Sequence, residues 1–152
     1  MFKPVSAREA ARICGFQTVA MLDYLERSHV FVRRQRHAKH GRGRARIYDF
    51  RDLLILKAIK KILDSGASVL TMKRAINELQ SEKWSADQAK LEGKDGPIRY
   101  AIISNGDLVL VKSSKELYDL STDGQMIFGF MIDMDKLHTE LCSSVLQQAL
   151  PL

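Results

Sequence analysis

The strongest constraint on the fold is a helical apolar pattern in the middle of the N-terminal half. Asp49 precedes this run as a predicted N-cap, and Asp52 lies in the first turn, where the helix dipole favours an anion. Asp64-Ser65-Gly66 predicts where the helix ends. Apolar residues recur at helical spacing at Phe50, Leu53, Leu54, Leu56, Ile59, Ile62 and Leu63. A helix with defined ends is therefore predicted here.

Two shorter helices are predicted before it. Ser6 and Glu9 have the spacing of a capping box, in which each side chain bonds the other residue's backbone. Gly15 stands where a tight turn needs a positive φ. Thr18 then offers an N-cap for a second helix with Val19 and Leu22 among its apolar positions. Two helices joined through a glycine turn predict a helix-turn-helix.

A basic segment follows these helices. Residues 33–46 contain seven Arg and Lys and no Asp or Glu, with two glycines in the middle. The run His29–Val32 before it and Ile47-Tyr48 after it are predicted strands. A strand, a basic hairpin and a second strand would form a wing.

Charge is divided unevenly along the 152 residues. Residues 1–80 have a formal charge of +10 and residues 81–152 have −4, within a total of +6. Like charges in such a segment repel one another unless an anion is present. The N-terminal half is therefore predicted to bind phosphate, whereas the C-terminal half is not.

The C-terminal half is predicted to be a small α+β unit. Ile98–Ile103 and Leu108–Val111 flank Asn105-Gly106, a strong hairpin signal. A helix at 113–120, a core strand at 126–132 and a helix at about 134–149 follow. The predicted fold class is α+β, with a winged helix-turn-helix followed by a small C-terminal α+β extension. The predicted divisions are a DNA-binding domain at 1–80, a polar linker at 81–97 and an effector or dimerisation domain at 98–152.

The order of elements in residues 4–80 resembles the MerR family of transcription regulators. The residues that carry the resemblance are the blocks AARICG at 10–15, LDYLE at 22–26 and RIYDFRDL at 46–53, with LDSGAS at 63–68. The resemblance implies that the second helix enters the DNA major groove and the wing contacts backbone or minor groove. Asp23 departs from the family, in which an Arg is common there.

Candidate DNA contacts come from the start of the second helix and from the wing. At the helix start, exposed polar or small residues are placed to meet bases or phosphates. In the wing, the cations are placed to meet phosphates. The candidates are Gln17, Thr18, Ala20, Arg33, Arg34, Arg36, Lys39, Arg42, Arg44, Arg46 and Tyr48.

The expected partner is double-stranded DNA, bound at palindromic promoters by a homodimer. Members of the family dimerise through a long helix, and no long coiled-coil heptad follows residue 80. The last helix is the predicted dimer contact instead, with an apolar face formed by Leu137, Leu141, Val145 and Ala149. The C-terminal half leaves room for an effector, whose identity the residues do not specify.

Several other chemistries are disfavoured. His37 and His40 lack further metal ligands nearby, so no metal or other cofactor is expected. Cys14 and Cys142 are predicted core residues rather than redox sensors. Asp133 and Asp135 are interpreted as caps of the last helix. No nucleophile–base group or phosphate loop is found, so an enzyme is not predicted.

The sequence also predicts a cellular location and leaves two other functions open. The sequence has neither a membrane-length apolar run nor a signal peptide, which predicts a cytoplasmic protein. An architectural or recombination-accessory DNA-binding protein stays open as an alternative, because such proteins also use winged helices. So does a module binding RNA or protein, although the basic run has none of the aromatics on which RNA bases stack.

Overall fold

The computed structural model describes residues 3–33, 46–68, 70, 73–81, 98–104, 107–122 and 130–149. The elements alternate between short strands and helices, and the α+β content agrees with the predicted class. In chain order they are β1 (Val5–Ser6), α1 (Ala7–Cys14), α2 (Val19–Arg27), β2 (Ile47–Tyr48), α3 (Phe50–Asp64), α4 (Lys73–Ser81), β3 (Tyr100–Ser104), β4 (Asp107–Val111), α5 (Ser114–Thr122), β5 (Phe130–Asp133) and α6 (Met134–Ala149).

Helix ends in the N-terminal half follow local sequence chemistry. The Ser6 side chain accepts a hydrogen bond from the Glu9 backbone at the start of α1. Asp49 and Asp52 form a reciprocal capping box at the start of α3. The turns after α1 and α3 have Gly15 at φ 89° and Gly66 at φ 87°. These residues confirm the predicted boundaries because the cap bonds satisfy backbone groups that lack partners within the helix.

The predicted strand at His29–Val32 is wrong. His29 is the residue just past the C-cap of α2, with φ 59°. The His29 and Val30 amides donate to the Glu26 and Leu25 carbonyls, the paired bonds of a Schellman motif. The segment therefore begins as a helix terminus and continues without strand structure to residue 33.

The partner of β2 also differs from the predicted wing hairpin. β2 pairs antiparallel with β1, with Val5 opposite Tyr48 and Ser6 opposite Ile47. The strand after the basic segment is thus joined to the chain's N-terminal segment rather than to residues 29–32. Most of the predicted wing, residues 34–45, lies outside the described residues.

The chain on either side of α4 is described only in part. Helix α4 is described from Lys73 to Ser81. The predicted linker at 81–97 lies outside the described residues except for Ser81, so the domain boundaries remain predictions.

The C-terminal half contains a three-stranded antiparallel sheet in the order β4-β3-β5. Ser104 pairs with Asp107, which confirms the predicted hairpin, although Asn105-Gly106 itself lies outside the described residues. Ser113 caps α5, because its Oγ accepts a hydrogen bond from the Glu116 amide at 3.1 Å. The part of β5 that is described starts at Phe130.

The last helix, α6, packs on its own chain. Leu137 and Leu141 are buried in a core that also contains residues of α1 and α3, and Val145 packs against that core. The Phe50 and His138 rings meet edge to face at 5.0 Å across the α3–α6 contact. Leu137 and Leu141, two residues of the predicted dimer contact, are therefore covered by α1 and α3 of the same chain, and the dimer contact remains a prediction. 

The two cysteines have different environments. Cys14 is buried, as predicted, and its Sγ lies 3.4 Å from the Leu53 carbonyl oxygen. Cys142 is exposed, so its predicted core position is wrong: it lies beside rather than on the face formed by Leu137 and Leu141. Asp133 caps α6 by accepting from the Lys136 amide, whereas Asp135 pairs with Arg99.

Candidate nucleic-acid interface

The start of α2 is open to solvent. Gln17, Thr18 and Ala20 are exposed, while Phe16 just before them and Leu22 just after are buried. Thr18 occupies the N-cap position, but its side chain makes no capping hydrogen bond. Buried residues on both sides fix this turn while its outer residues face solvent. The contact of these three residues with DNA remains a prediction.

Glu26, in the last turn of α2, binds both ends of the basic segment. Its Oε1 lies 2.5 Å from Arg33 Nε, and its Oε2 lies 2.6 Å from Arg46 Nη1. The Tyr48 hydroxyl donates to the same Oε2 at 3.3 Å. The Glu26 side chain is only 19% exposed, so these pairs are partly shielded from water. A single carboxylate therefore links the helix to the first and the last cation of the basic segment, Arg33 and Arg46.

Asp23, one turn before Glu26, adds a second carboxylate. It forms an ion pair with Arg46. Burial acts to lower the pKa of Arg46, but Tyr48, Glu26 and Asp23 outweigh it and raise the pKa. Arg46 therefore stays charged and is shared between two acids. Asp23, the departure from the family pattern, offsets a wing cation instead of offering a phosphate contact of its own.

Tyr48 lies in the interior of the protein and packs against other side chains. Its side chain is buried, and its ring stacks on Phe31 with centroids 6.3 Å apart. The Arg33 guanidinium carbon lies 5.7 Å from the centre of the same ring, within cation–π range. Burial, followed by the Glu26 charge, raises the pKa of the phenol. The surface of Tyr48 is covered by protein, so its burial does not support the predicted contact with DNA.

Of the remaining candidate DNA contacts, some lie among the described residues and others do not. Arg33 and Arg46 are brought together with Tyr48 at the end of α2, about Glu26. Arg34, Arg36, Lys39, Arg42 and Arg44 lie outside the described residues, as do His37 and His40. Their predicted role in binding phosphate stays a prediction.

Sequence reasoning missed Glu26, although a signal was present. Asp23 and Glu26 are the two acids between Gln17 and Tyr48, and their spacing of three places both on one face of α2. Two carboxylates on one helix face, followed by seven cations without an acid, indicate an internal ion-pair cluster. An open depression lined by Ala20, Asp23, Glu26, Arg27 and Arg46 marks this cluster on the surface.

Other chemistry has little support in the described part of the chain. Burial raises the pKa of the Cys14 thiol to about 12, against a smaller lowering by Lys57. Within the described ranges, no three His, Cys, Asp or Glu residues come together as a metal site. The described helices also include none with the length and apolar character that crossing a membrane requires.

Sequence comparisons relate the chain to known proteins. The model of the MerR HTH family of regulatory proteins matches residues 5–82. Uncharacterized HTH-type transcriptional regulators of Mycobacterium bovis and of two strains of Mycobacterium tuberculosis are 32% identical over 124 residues. The alignment covers 81% of this chain and 50% of each relative, so the chain spans about half the length of these relatives. The matched residues contain α1, α2, the basic segment, α3 and α4, and they make up half of the chain. The chain therefore belongs to the MerR HTH family of regulatory proteins.

Proposed function

We propose that the chain regulates transcription by binding double-stranded promoter DNA at palindromic sites as a two-fold symmetric dimer. The observation that carries the proposal is the Glu26 cluster. It joins α2, whose start is exposed to solvent, to both ends of a segment with seven cations and no acid. In such an arrangement the helix reads bases while the wing binds phosphates beside them.

The dimer follows from the size of one reading unit. A single helix-turn-helix contacts only a few base pairs, too few to select a promoter among about a million competing genomic sites. Two copies related by a two-fold axis double the sequence that is read and fix the spacing of the half-sites. The proposal includes a homodimer without assigning its contact surface, because α6 uses its apolar face within the chain.

The test begins with selection of genomic fragments bound by the purified chain. We expect a palindromic site that binds at least about a thousandfold more tightly than random duplex at the same salt concentration. Footprinting should protect two half-sites whose centres lie about one helical turn apart. Equal affinity for every duplex together with DNA bending would instead identify an architectural protein, and preference for RNA would exclude both.

The contribution of the wing is tested by charge removal. We expect Arg42→Ala with Arg44→Ala to weaken binding and to flatten the dependence of log affinity on log salt by roughly one to two units. Lys112→Ala with Lys115→Ala removes the same charge from the C-terminal half and is the matched control. A double wing variant with full affinity and an unchanged salt slope would remove the wing from the interface.

A further inference from the structure

The side chain of Gln80, in the last turn of α4, binds the backbone that leads into the basic segment. Its Nε2 donates to the Val30 carbonyl at 2.9 Å, and its Oε1 accepts from the Val32 amide at 2.8 Å. The Val30 and Phe31 amides both donate to the Leu25 carbonyl at the end of α2, so the backbone of this segment is bonded from two sides. Gln80 therefore supplies the Val30 carbonyl and the Val32 amide with hydrogen-bond partners that sheet pairing does not supply.

Contacts with α3 and with α4 itself fix the position of Gln80. Its side chain is buried, and the preceding Leu79 is buried in the core. Asn77 Oδ1 accepts a second bond from Gln80 Nε2 at 3.2 Å, and Arg51 of α3 donates to the Gln80 carbonyl. A reversed amide would place the Nε2 donor against the Val32 N–H, which is also a donor, and the Oε1 acceptor against the Val30 carbonyl oxygen, which is also an acceptor. The orientation, and with it the position of Val32, is therefore determined by the hydrogen bonds.

We propose that Gln80 is a positioning residue for DNA binding, which sets where the wing leaves the body of the protein. Val32 is followed directly by Arg33, the first wing cation, whose guanidinium is fixed by Glu26. Gln80 fixes the backbone and Glu26 fixes the side chain at the same point of departure. The inference rests on the proposed function, because the role assigned to Gln80 is realised when the wing meets phosphate.

The position of Gln80 also connects two halves of the chain. Helix α4 packs against β4 of the C-terminal sheet as well as against α3. Val30 and Val32 are therefore bonded to a helix that also contacts the C-terminal sheet. A displacement of α4 on β4 would move these two residues with Gln80.

The first experiment measures DNA affinity and its salt dependence for Gln80→Met, which keeps the length of the side chain and removes both hydrogen bonds. We expect affinity for the selected palindrome to fall about tenfold, as for loss of one or two buried hydrogen bonds, with a flatter salt slope. Asn77→Ala is the matched control, since it removes the other partner of the same amide, and it should stay within about twofold of wild type.

The second experiment needs no DNA. Hydrogen exchange of the Val32 amide should be protected in wild type and in Asn77→Ala, and should accelerate in Gln80→Met while the amides of α3 keep their protection. Gln80→Glu provides a second variant, because its carboxylate keeps the acceptor for Val32 and faces the Val30 carbonyl without a donor. We expect it to lie between wild type and Gln80→Met in protection of the Val32 amide.

The outcomes separate the two proposals. If wild type binds DNA selectively while Gln80→Met keeps full affinity and salt slope, the positioning role is overturned and the proposed function stands. If wild type binds no DNA selectively, the proposed function fails, whatever the exchange of Val32 shows. Loss of α3 protection in both Gln80 variants would make Gln80 a general fold residue and would also overturn the inference.

Discussion

At the scale of single residues, Glu26 concentrates more interactions than its place on a surface helix suggests. Two arginines and a buried tyrosine hydroxyl share one carboxylate. Exposed ion pairs contribute little to stability, but the partial burial of this cluster reduces screening by water. Loss of the Glu26 charge would leave Arg33 and Arg46 close together, near a tyrosine that is buried.

We expect Glu26→Gln to lower the free energy of unfolding by about 1–2 kcal/mol, below the 3–5 kcal/mol typical of fully buried pairs because this cluster is partly exposed. Urea denaturation followed by circular dichroism measures the change. Asp23→Asn is the control, since Asp23 touches only Arg46 of this cluster and is 44% exposed; its cost should stay below about 1 kcal/mol. Equal costs for the two variants would contradict the central role of Glu26.

The two thiols should react very differently. Cys14 has its pKa raised to about 12 by burial, so it stays protonated and inaccessible at pH 8, whereas Cys142 is exposed. Titration of the native protein with a chromophoric disulfide should modify Cys142 alone, and denaturant should release Cys14 as well. Cys142→Ser should leave the native protein unreactive. Rapid modification of that variant at pH 8 would contradict the burial of Cys14.

The raised pKa of Cys14 also fixes the sign of a stability effect. The folded thiol keeps its proton over a pH range in which the unfolded thiol, with an ordinary value of 9.0, loses it. The contribution of Cys14 to stability is therefore complete below about pH 9 and declines as the pH rises towards 12. Cys14→Ala should remove that part of the alkaline decline in the free energy of unfolding, as measured by urea titrations at several pH values.

At the scale of elements, helix ends are the features fixed most locally. The Asp49–Asp52 capping box satisfies two backbone amides at the start of α3, whose buried residues form the centre of the core. We expect Asp49→Ala to cost about 1 kcal/mol of unfolding free energy. Asp64→Ala, at the other end of α3, removes only an exposed pair with Lys60 and should cost about 0.3–0.5 kcal/mol. Urea denaturation of both variants compares them, and an equal or larger loss for Asp64→Ala would argue against the cap.

Strand pairing in the N-terminal half could not be predicted from the same local signals. The apolar run at 29–32 has strand-like composition, but His29 closes a Schellman motif and Gln80, fifty residues from Val30, bonds the backbone. β2 pairs with β1, the strand before α1, and not with the segment that precedes the basic run. Composition favours an extended segment, whereas the identity of its hydrogen-bond partner depends on which groups the folded chain brings beside it.

At the scale of the whole molecule, α6 makes the stability of the N-terminal helices depend on the C-terminal residues. Leu141 is fully buried in a core shared with α1 and α3. We expect Leu141→Ala to cost about 2–5 kcal/mol and to lower the unfolding midpoint of the N-terminal helices together with α6. Hydrogen exchange of α1 and α3 amides measures this coupling.

Leu146→Ala, on the same helix at 62% exposure, is the matched control and should change stability by less than about 0.5 kcal/mol. If Leu141→Ala accelerates exchange in α6 while α1 and α3 keep their protection, the shared core is not a cooperative unit.

Some features could be predicted from the sequence because their causes lie within a few residues. They are the caps at Ser6 and Asp49, the glycine turns after α1 and α3, the β3–β4 hairpin and the helical face of α6. Periodicity shows that a face is apolar, but not what covers it. Folding determines the rest: α1 and α3 cover α6, Tyr48 is buried, Glu26 pairs with Arg33 and Arg46, and Gln80 bonds the backbone of Val30 and Val32. The physical reason is that each of these partnerships joins residues far apart in sequence, and their free energy depends on burial and geometry that exist only once the chain has folded.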